Sequence, residues 1–258
     1  MQLEFYKYQG TGNDFIVIDN RKNIFQKKNA ATIKKLCNRR FGIGADGLIL
    51  IENSKEYDFH MVYFNADGSK SFCGNGSRCA VHFARFLGII KNKTHFLSTD
   101  GEHEATIRNN TIALKMKNVN YVENGNNFYF LNTGSPHYIV FANDVKKINV
   151  PEEGQKIRYN KRFKKNGTNV NFATLKNRTL FVRTYERGVE NETLSCGTGV
   201  TATAIAASIH FSLKNKSTAI ETLGGKLRVK FTQKSQQDFS DIWLIGPAQC
   251  VFKGSVEI

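Results

Sequence analysis

A chain of 258 residues, 40% hydrophobic and 23% charged, has an ordinary globular composition, with room for one large domain or two of common size. No apolar run approaches the roughly 18 residues that span a bilayer, and "MQLEFYKYQG" lacks the basic-then-apolar layout of a signal peptide, so a cytoplasmic protein without a membrane partner is expected. The net charge of +15 is spread over separate lysine clusters such as "KKNAATIKK" and "NKRFKK", outside any recognised nucleic-acid module, which favours a lysine-rich surface over a nucleic-acid partner.

Taken in order, the chain opens with a strand (Leu3 to Tyr8), a Gly-rich turn "QGTGND" and a strand "FIVID". The "GTG" is no dinucleotide fingerprint, because a β-branched run follows where a helix is needed and the third glycine is missing. "ATIKKLCNRRFG" predicts a short helix from Ala31 with a stop at Gly42, with Ile33, Leu36 and Cys37 on one face. "GLILIEN" and "YDFHMVYFN" read as strands, and Ala80, Phe83, Ala84 and Leu87 predict a helix with a buried stripe. "THFLSTD", "EATIRN" and "TIALKMK" are strand-like, and the polar segment "NVNYVENGNNFYF" places a domain crossing near Asn118. Beyond it "FYFLNTGSPHYIVF", "TNVNFATLK" and "TLFVRTYERG" read as strands, followed by a second apolar helix through Ala202, Ile205, Ala206 and Ile209. Each half is thus mostly strand, with one strongly apolar helix set where a sheet could wrap around it. The expected domains are 1–117, completed by the last strand at 248–258, and 118–247.

The two apolar helices share an entrance: "SFCGNGSRC" before the first and "LSCGTGVTA" before the second, close to half a chain apart. Five scattered cysteines argue against a disulfide framework, and Cys73, Cys79 and His82 are too widely spaced for an ordinary structural zinc site, so no metal is expected. First-turn N–H groups lack internal partners and the helix dipole makes that end positive, so glycines there let backbone hold a carboxylate. A cysteine at such a start has its thiolate stabilised. Each motif therefore offers a carboxylate cradle beside a proton-transfer group, and two of them facing one α-carbon suit racemisation or epimerisation. For a single motif, loop glycines and a small core cysteine are an equal reading; the repetition in two similar halves favours function.

Six ordered blocks, "GTGNDFIVID", "GIGADGLIL", "FNADGSKSFCGNGSRC", "TGSPHYIVF", "GTNVNF" and "YERGVENETLSCGTG", with the closing "GPAQCVFKG", resemble the diaminopimelate epimerase family over nearly the whole chain. The resemblance implies an α/β (α+β) fold of two pseudo-symmetric domains, each a curled mixed sheet or barrel around a central helix. It implies inversion of one α-centre of LL-2,6-diaminopimelate to the meso form in lysine and peptidoglycan synthesis, with no cofactor, by an enzyme that is often a homodimer. Carried over by position, Cys73 and Cys196 are the acid/base pair, and Gly74, Asn75, Gly197 and Thr198 cradle the reacting carboxylate. Arg187, helped by Asn65 and Asn169, meets the far carboxylate, and Glu186 the far ammonium; Asn13 lies near the reacting amine, and His137 near Cys73 as an auxiliary proton acceptor. Gly47 and Ser135 depart from the glutamine and asparagine of some members, and Phe72 from the usual methionine. A proline or hydroxyproline racemase of the same fold is the alternative, and Cys37, Cys79 and Cys250 are expected to be structural.

Overall fold

The computed structural model of the protein describes residues 2–27, 29–213 and 217–258. Its strands are β1 (Gln2–Gly10), β2 (Asn13–Asp19), β3 (Gly47–Glu52), β4 (His60–Asn65), β5 (Lys93–Ser98), β6 (Gly101–Arg108), β7 (Thr111–Lys115), β8 (Val122–Gly125), β9 (Phe128–Asn132), β10 (Pro136–Phe141), β11 (Asn169–Lys176), β12 (Thr179–Glu186), β13 (Asn191–Thr193), β14 (Ser217–Thr222), β15 (Gly225–Gln233), β16 (Phe239–Pro247) and β17 (Gln249–Glu257). Its α-helices are α1 (Ala30–Cys37), α2 (Gly74–Phe86), α3 (Val150–Arg158) and α4 (Gly197–His210). None of the described helices is long and apolar enough to cross a membrane.

The chain divides into two compact units, Met1–Leu114 with Gly246–Ile258, and Lys115–Ile245. In the first, the strands run in the order β17-β1-β2-β3-β4-β5-β6-β7, and in the second β8-β9-β10-β11-β12-β14-β15-β16. Both orders show the same ladders in sequence: antiparallel, antiparallel, parallel, antiparallel, parallel, antiparallel, antiparallel. Parallel neighbours need a crossover, and in each unit the two crossovers carry helices: α1 and α2 in the first, α3 and α4 in the second. The final strand β17 fills in the first unit the place that β8 fills in the second.

One helix of each pair is enclosed. Helix α2 packs against β1, β2, β3, β4, β6 and β17, and α4 against β9, β10, β11, β12, β14 and β15. Such a helix buries small or apolar residues on most of its sides. In α4 the run from Gly199 to Ser208 is buried throughout. Its hydroxyls are satisfied locally: Thr201 donates to the carbonyl of Gly197 at 2.9 Å and Thr203 to that of Gly199 at 2.8 Å. The outer helices cap the other face. In the first unit Ile33 and Leu36 of α1 join Ile16, Ile18, Leu48, Leu50, Val62 and Phe64 in one core, so every residue of β3 is buried, as expected of a strand covered on both faces. In the second, Val150 of α3 meets Val170, Phe172 and Tyr185. Each such large side chain contributes about 1.5–3 kcal/mol by leaving water.

Several boundaries differ from the sequence expectation. The helix predicted to reach Gly42 stops at Cys37, because Asn38 turns to ψ 123° and its side chain accepts from the N–H groups of Arg40 and Phe41. "YDFHMVYFN" becomes strand only at His60, and "FYFLNTGSPHYIVF" is two strands, β9 and β10, around the turn at Thr133–Ser135. Helix α3 was not foreseen: Pro151 and Gly154 hide it, yet a Cβ on Gly154 would stand 2.4 Å from Cβ of Tyr185. Within the lysine cluster "KKNAATIKK", Lys28 lies outside the described residues.

Candidate active site

In the first unit, Cys73 is the N-cap of α2, with extended backbone (φ −134°, ψ 112°), and its Sγ accepts from the N–H of Gly76 at 3.4 Å. Gly74 and Asn75 form the first turn, whose N–H groups have no acceptor within the helix. A Cβ on Gly76 would lie 3.3 Å from Cδ1 of Ile49 and 3.4 Å from Cε1 of Phe15, so the helix entrance presses directly on β3 and β2.

Asn13, at the start of β2, donates from Nδ2 to Oδ2 of Asp46 at 2.6 Å. A carboxylate has no proton to give, so this contact fixes the amide. Its Oδ1 faces the helix, accepting from Nδ2 of Asn75 at 3.3 Å and from the Cys73 thiol at 3.5 Å. Asp46 is braced by Arg39 at 2.8 Å, and Arg39 grips Asp14 at 3.0 and 2.6 Å. Burial favours a protonated Asp14, but hydrogen bonds from Arg39 and Lys7 overcome it and hold the carboxyl down at about 2.

Behind Cys73, Arg78 is fully buried, donating to the carbonyl of Pro247 at 3.3 Å and to Oγ1 of Thr11 at 3.1 Å. Burial pushes its pKa down to about 10, opposed by the negative charge that Cys79 and Cys73 carry when ionised. It therefore remains a cation at neutral pH. Sequence reasoning passed over Arg78; the available signal was a charge among the small and apolar residues of the first half of α2. The side chain of Asn65 is engaged within its own loop, donating to Ser69 Oγ at 2.9 Å and accepting from Ser71 at 3.1 Å. At Gly47, an added Cβ would stand 2.5 Å from the Tyr63 ring and 2.7 Å from its hydroxyl, so Tyr63 occupies the room that a side chain at 47 would need.

In the second unit, Cys196 is the N-cap of α4 (φ −118°, ψ 112°), and Gly197 and Thr198 form its first turn. The Cys196 Sγ lies 3.5 Å from Oγ1 of Thr198. His137 belongs to this half: it is fully buried on β10, with Nε2 2.9 Å from Oγ1 of Thr198 and Nδ1 3.1 Å from Nδ2 of Asn171. Both of its ring nitrogens are thus engaged within this unit, by Thr198 and Asn171. Burial, with the charge of Arg187 adding to it, pushes its pKa down to about 3, so the ring is neutral at working pH. Asn171 accepts from the Thr184 hydroxyl at 2.9 Å. Asn171 and Thr184 were not picked out from the sequence, where "TNVNFATLK" and "RTYERG" showed only strand pattern. A Cβ on Gly199 would lie 2.5 Å from Oδ1 of Asn171 and 3.3 Å from Cε1 of His137, which is why this turn needs its second glycine.

Asn169 is buried and works on backbone: its Oδ1 accepts from the N–H of Arg187 at 2.8 Å and its Nδ2 donates to the carbonyl of Pro136 at 3.3 Å. The guanidinium of Arg187 is exposed and donates to the carbonyl of Asn166 at 2.8 Å. Glu186 accepts from the Thr193 hydroxyl at 2.9 Å. Burial pushes the remaining thiols up: Cys37 to about 11, with Cys79 and Cys250 also raised. At neutral pH these three are protonated.

The chain matches the sequence profile described as diaminopimelate epimerase over residues 5–122 and 129–251. It is 54% identical over 257 residues to a protein of Flavobacterium psychrophilum named diaminopimelate epimerase, covering 98% of this chain and 100% of that one. A protein of the same name from Aquifex aeolicus is 41% identical over 273 residues, covering 98% and 97%. Among solved structures, a phenazine biosynthesis protein of the PhzF family from Bacillus anthracis superposes with a TM-score of 0.80 at 14% identity over 100% of both chains. A hydroxyproline epimerase from Agrobacterium vitis, solved with trans-4-hydroxy-L-proline, gives 0.72 at 12% identity, over 99% of this chain and 92% of that one. At such identities these two establish a shared fold of two pseudo-repeated domains. Two units with one ladder pattern, each enclosing a helix capped by cysteine, agree with what the relatives establish: the chain belongs to the diaminopimelate epimerase family and is an isomerase of that family.

Proposed function

We propose that this chain interconverts LL-2,6-diaminopimelate and meso-2,6-diaminopimelate, serving lysine and peptidoglycan synthesis, with Cys73 and Cys196 acting on one α-carbon from opposite faces. One thiolate takes the α-proton while the other thiol delivers a proton to the opposite side, and the reverse reaction exchanges the roles. The observation that carries this reading is the repetition of a cysteine N-cap, followed by Gly-x-Gly, at the corresponding place in both units. Each entrance supplies first-turn N–H groups, at Gly74 and Asn75 or at Gly197 and Thr198, together with a dipole worth about 0.3–1 kcal/mol and up to ~2 kcal/mol where partly buried. Negative charge grows on the α-carboxylate as the carbon loses its proton, so the stabilisation is largest in the transition state.

The far end of the substrate carries a second carboxylate and a second ammonium. Arg187 offers a planar pair of donors for the first, with its backbone fixed by Asn169. Glu186 offers the matching anion for the second. Asn65 and Asn13 line the first unit's contribution, with Asn13 already held in one orientation by Asp46. The reading asks for no cofactor.

Incubating LL-diaminopimelate with reduced protein should yield meso product resolvable by chiral chromatography. Prior alkylation of the thiols should abolish the conversion. Folded protein with titratable thiols that leaves LL-diaminopimelate unchanged would remove this substrate from consideration, and activity indifferent to alkylation would remove the two-cysteine chemistry.

A further inference from the structure

The connection from β12 to β13 carries Arg187, and it is tight. Glu186 is registered opposite Asn191, so only residues 187–190 make the turn. The N–H of Glu190 closes it on the carbonyl of Glu186 at 2.8 Å. Gly188 (φ 93°) and Glu190 (φ 56°) both sit in the left-handed region. Glycine takes that backbone freely, whereas a glutamate does so seldom and needs its side chain held to stay there.

The Glu190 carboxylate is held from three sides. Its Oε1 accepts from the N–H of Gly188 at 3.1 Å and from Nε of Arg158 at 3.3 Å. Its Oε2 accepts from the Tyr185 hydroxyl at 3.2 Å. Burial alone would raise this carboxyl, but the N–H of Gly188, the Tyr159 hydroxyl and the charge of Arg158 outweigh it and hold it below its ordinary value. Glu190 is therefore an anion at neutral pH. Arg158, at the end of α3, also donates to the carbonyl of Phe163 at 3.3 Å.

Two arginines press on one glycine beside this turn. A Cβ on Gly167 (φ 71°) would stand 2.5 Å from Cδ of Arg187 and 2.8 Å from Cζ of Arg158. The two cations are nevertheless treated unequally. Arg158 is neutralised by Glu190, with its side chain 13% exposed. The guanidinium of Arg187 is exposed and donates to the carbonyl of Asn166, with no ion pair among the described residues.

We infer that Arg158 and Glu190 are positioning residues: Arg158 holds the Glu190 carboxylate off Arg187, which keeps the Arg187 guanidinium available to a carboxylate ligand. The inference rests on the far-end reading of Arg187 and deepens it. Glu190 is needed to close the turn, yet it is an anion three residues from the arginine that must meet another anion. Without Arg158, Glu190 would turn to Arg187, and a ligand carboxylate would have to displace it. Only the fraction of protein with Arg187 released could then bind, and the apparent affinity would fall by that fraction.

The test reads Arg187 directly, by its rate of modification with phenylglyoxal, resolved by site with mass spectrometry. Arg158→Gln should slow modification of Arg187 roughly tenfold, and Arg158→Lys, which keeps a cation for Glu190, should retain the parent rate. Adding Glu190→Gln to Arg158→Gln should restore that rate, because the competing anion is gone. Arg158→Met gives the same comparison should circular dichroism show Arg158→Gln poorly folded. The KM for LL-diaminopimelate should follow the same order, rising roughly tenfold in Arg158→Gln with kcat kept, and falling again in the double variant. A purely structural role predicts the opposite, a double variant no better than the single one. Parent-rate modification of Arg187 in Arg158→Gln, or no recovery in the double variant, would overturn the inference. Because the modification needs no substrate, the two readings fail separately. Slowed modification with KM unchanged would support the inference while refuting the far-end role of Arg187. A raised KM in Arg187→Ala, with modification unchanged in Arg158→Gln, would do the reverse.

Discussion

Replacing Cys73 or Cys196 by serine should lower the kcat of epimerisation by roughly three orders of magnitude, the range expected when a general acid/base group is lost. Serine is an isosteric choice that separates chemistry from folding. Both cysteines occupy N-cap positions, where serine is among the preferred residues, and at 73 the hydroxyl can still accept from the N–H of Gly76. The secondary structure and melting temperature should therefore stay close to those of the parent while turnover collapses. Serine fails because its hydroxyl neither ionises near neutral pH nor gives up its proton at the rate of a thiol. A single-turnover assay with chiral product analysis, run beside circular dichroism, checks this. Either serine variant retaining activity within tenfold of the parent would show that its sulfur is not in the proton path.

Arg187→Ala should cost about 3 kcal/mol of substrate binding, roughly two orders of magnitude in kcat/KM, from the loss of charge-assisted hydrogen bonds to the far carboxylate. The loss should fall mainly on KM, because the far end of the substrate does not change charge during the reaction. The backbone there should hold, since Asn169 grips the N–H of residue 187, which alanine retains, and not the guanidinium. Arg187→Lys should recover only part of the loss, since an ammonium cannot make the two-pronged contact. The same variant discriminates among substrates. For an amino acid with one carboxylate, such as proline, Arg187 would have no far-end partner, and its removal would barely change kcat/KM.

How far the sequence speaks differs between fold and site. The enclosed helices were legible because α4 is apolar or small on all sides and α2 shows its Ala80, Phe83, Ala84 stripe, and Gly-rich turns mark both entrances. Short elements lacking a period were not: β13 spans only Asn191–Thr193, and α3 carries both Pro151 and Gly154. Those two residues lower helix propensity, while Gly154 serves packing against Tyr185, a tertiary reason that local pattern cannot contain. At the site, the cysteines were visible because their motif recurs. The polar row behind Cys196 was not, since "HYIV" and "NVNF" read as ordinary strand until β10 and β11 are placed side by side in register. The pairing of His137 with Thr198 and Asn171 was hidden for the same reason. Tyr63 filling the room beside Gly47 likewise depends on a cross-strand neighbour and has no local signature.

The central claim is inversion through two solvent-exchanging thiols, and proton NMR of LL-diaminopimelate with reduced protein in deuterated water tests it most directly. Deuterium should enter the α-position as meso product forms, with each newly inverted centre carrying label from the thiol that protonated it. Meso product that retains its α-protium at the inverted centre, or no exchange by a folded protein with titratable thiols, would contradict the account.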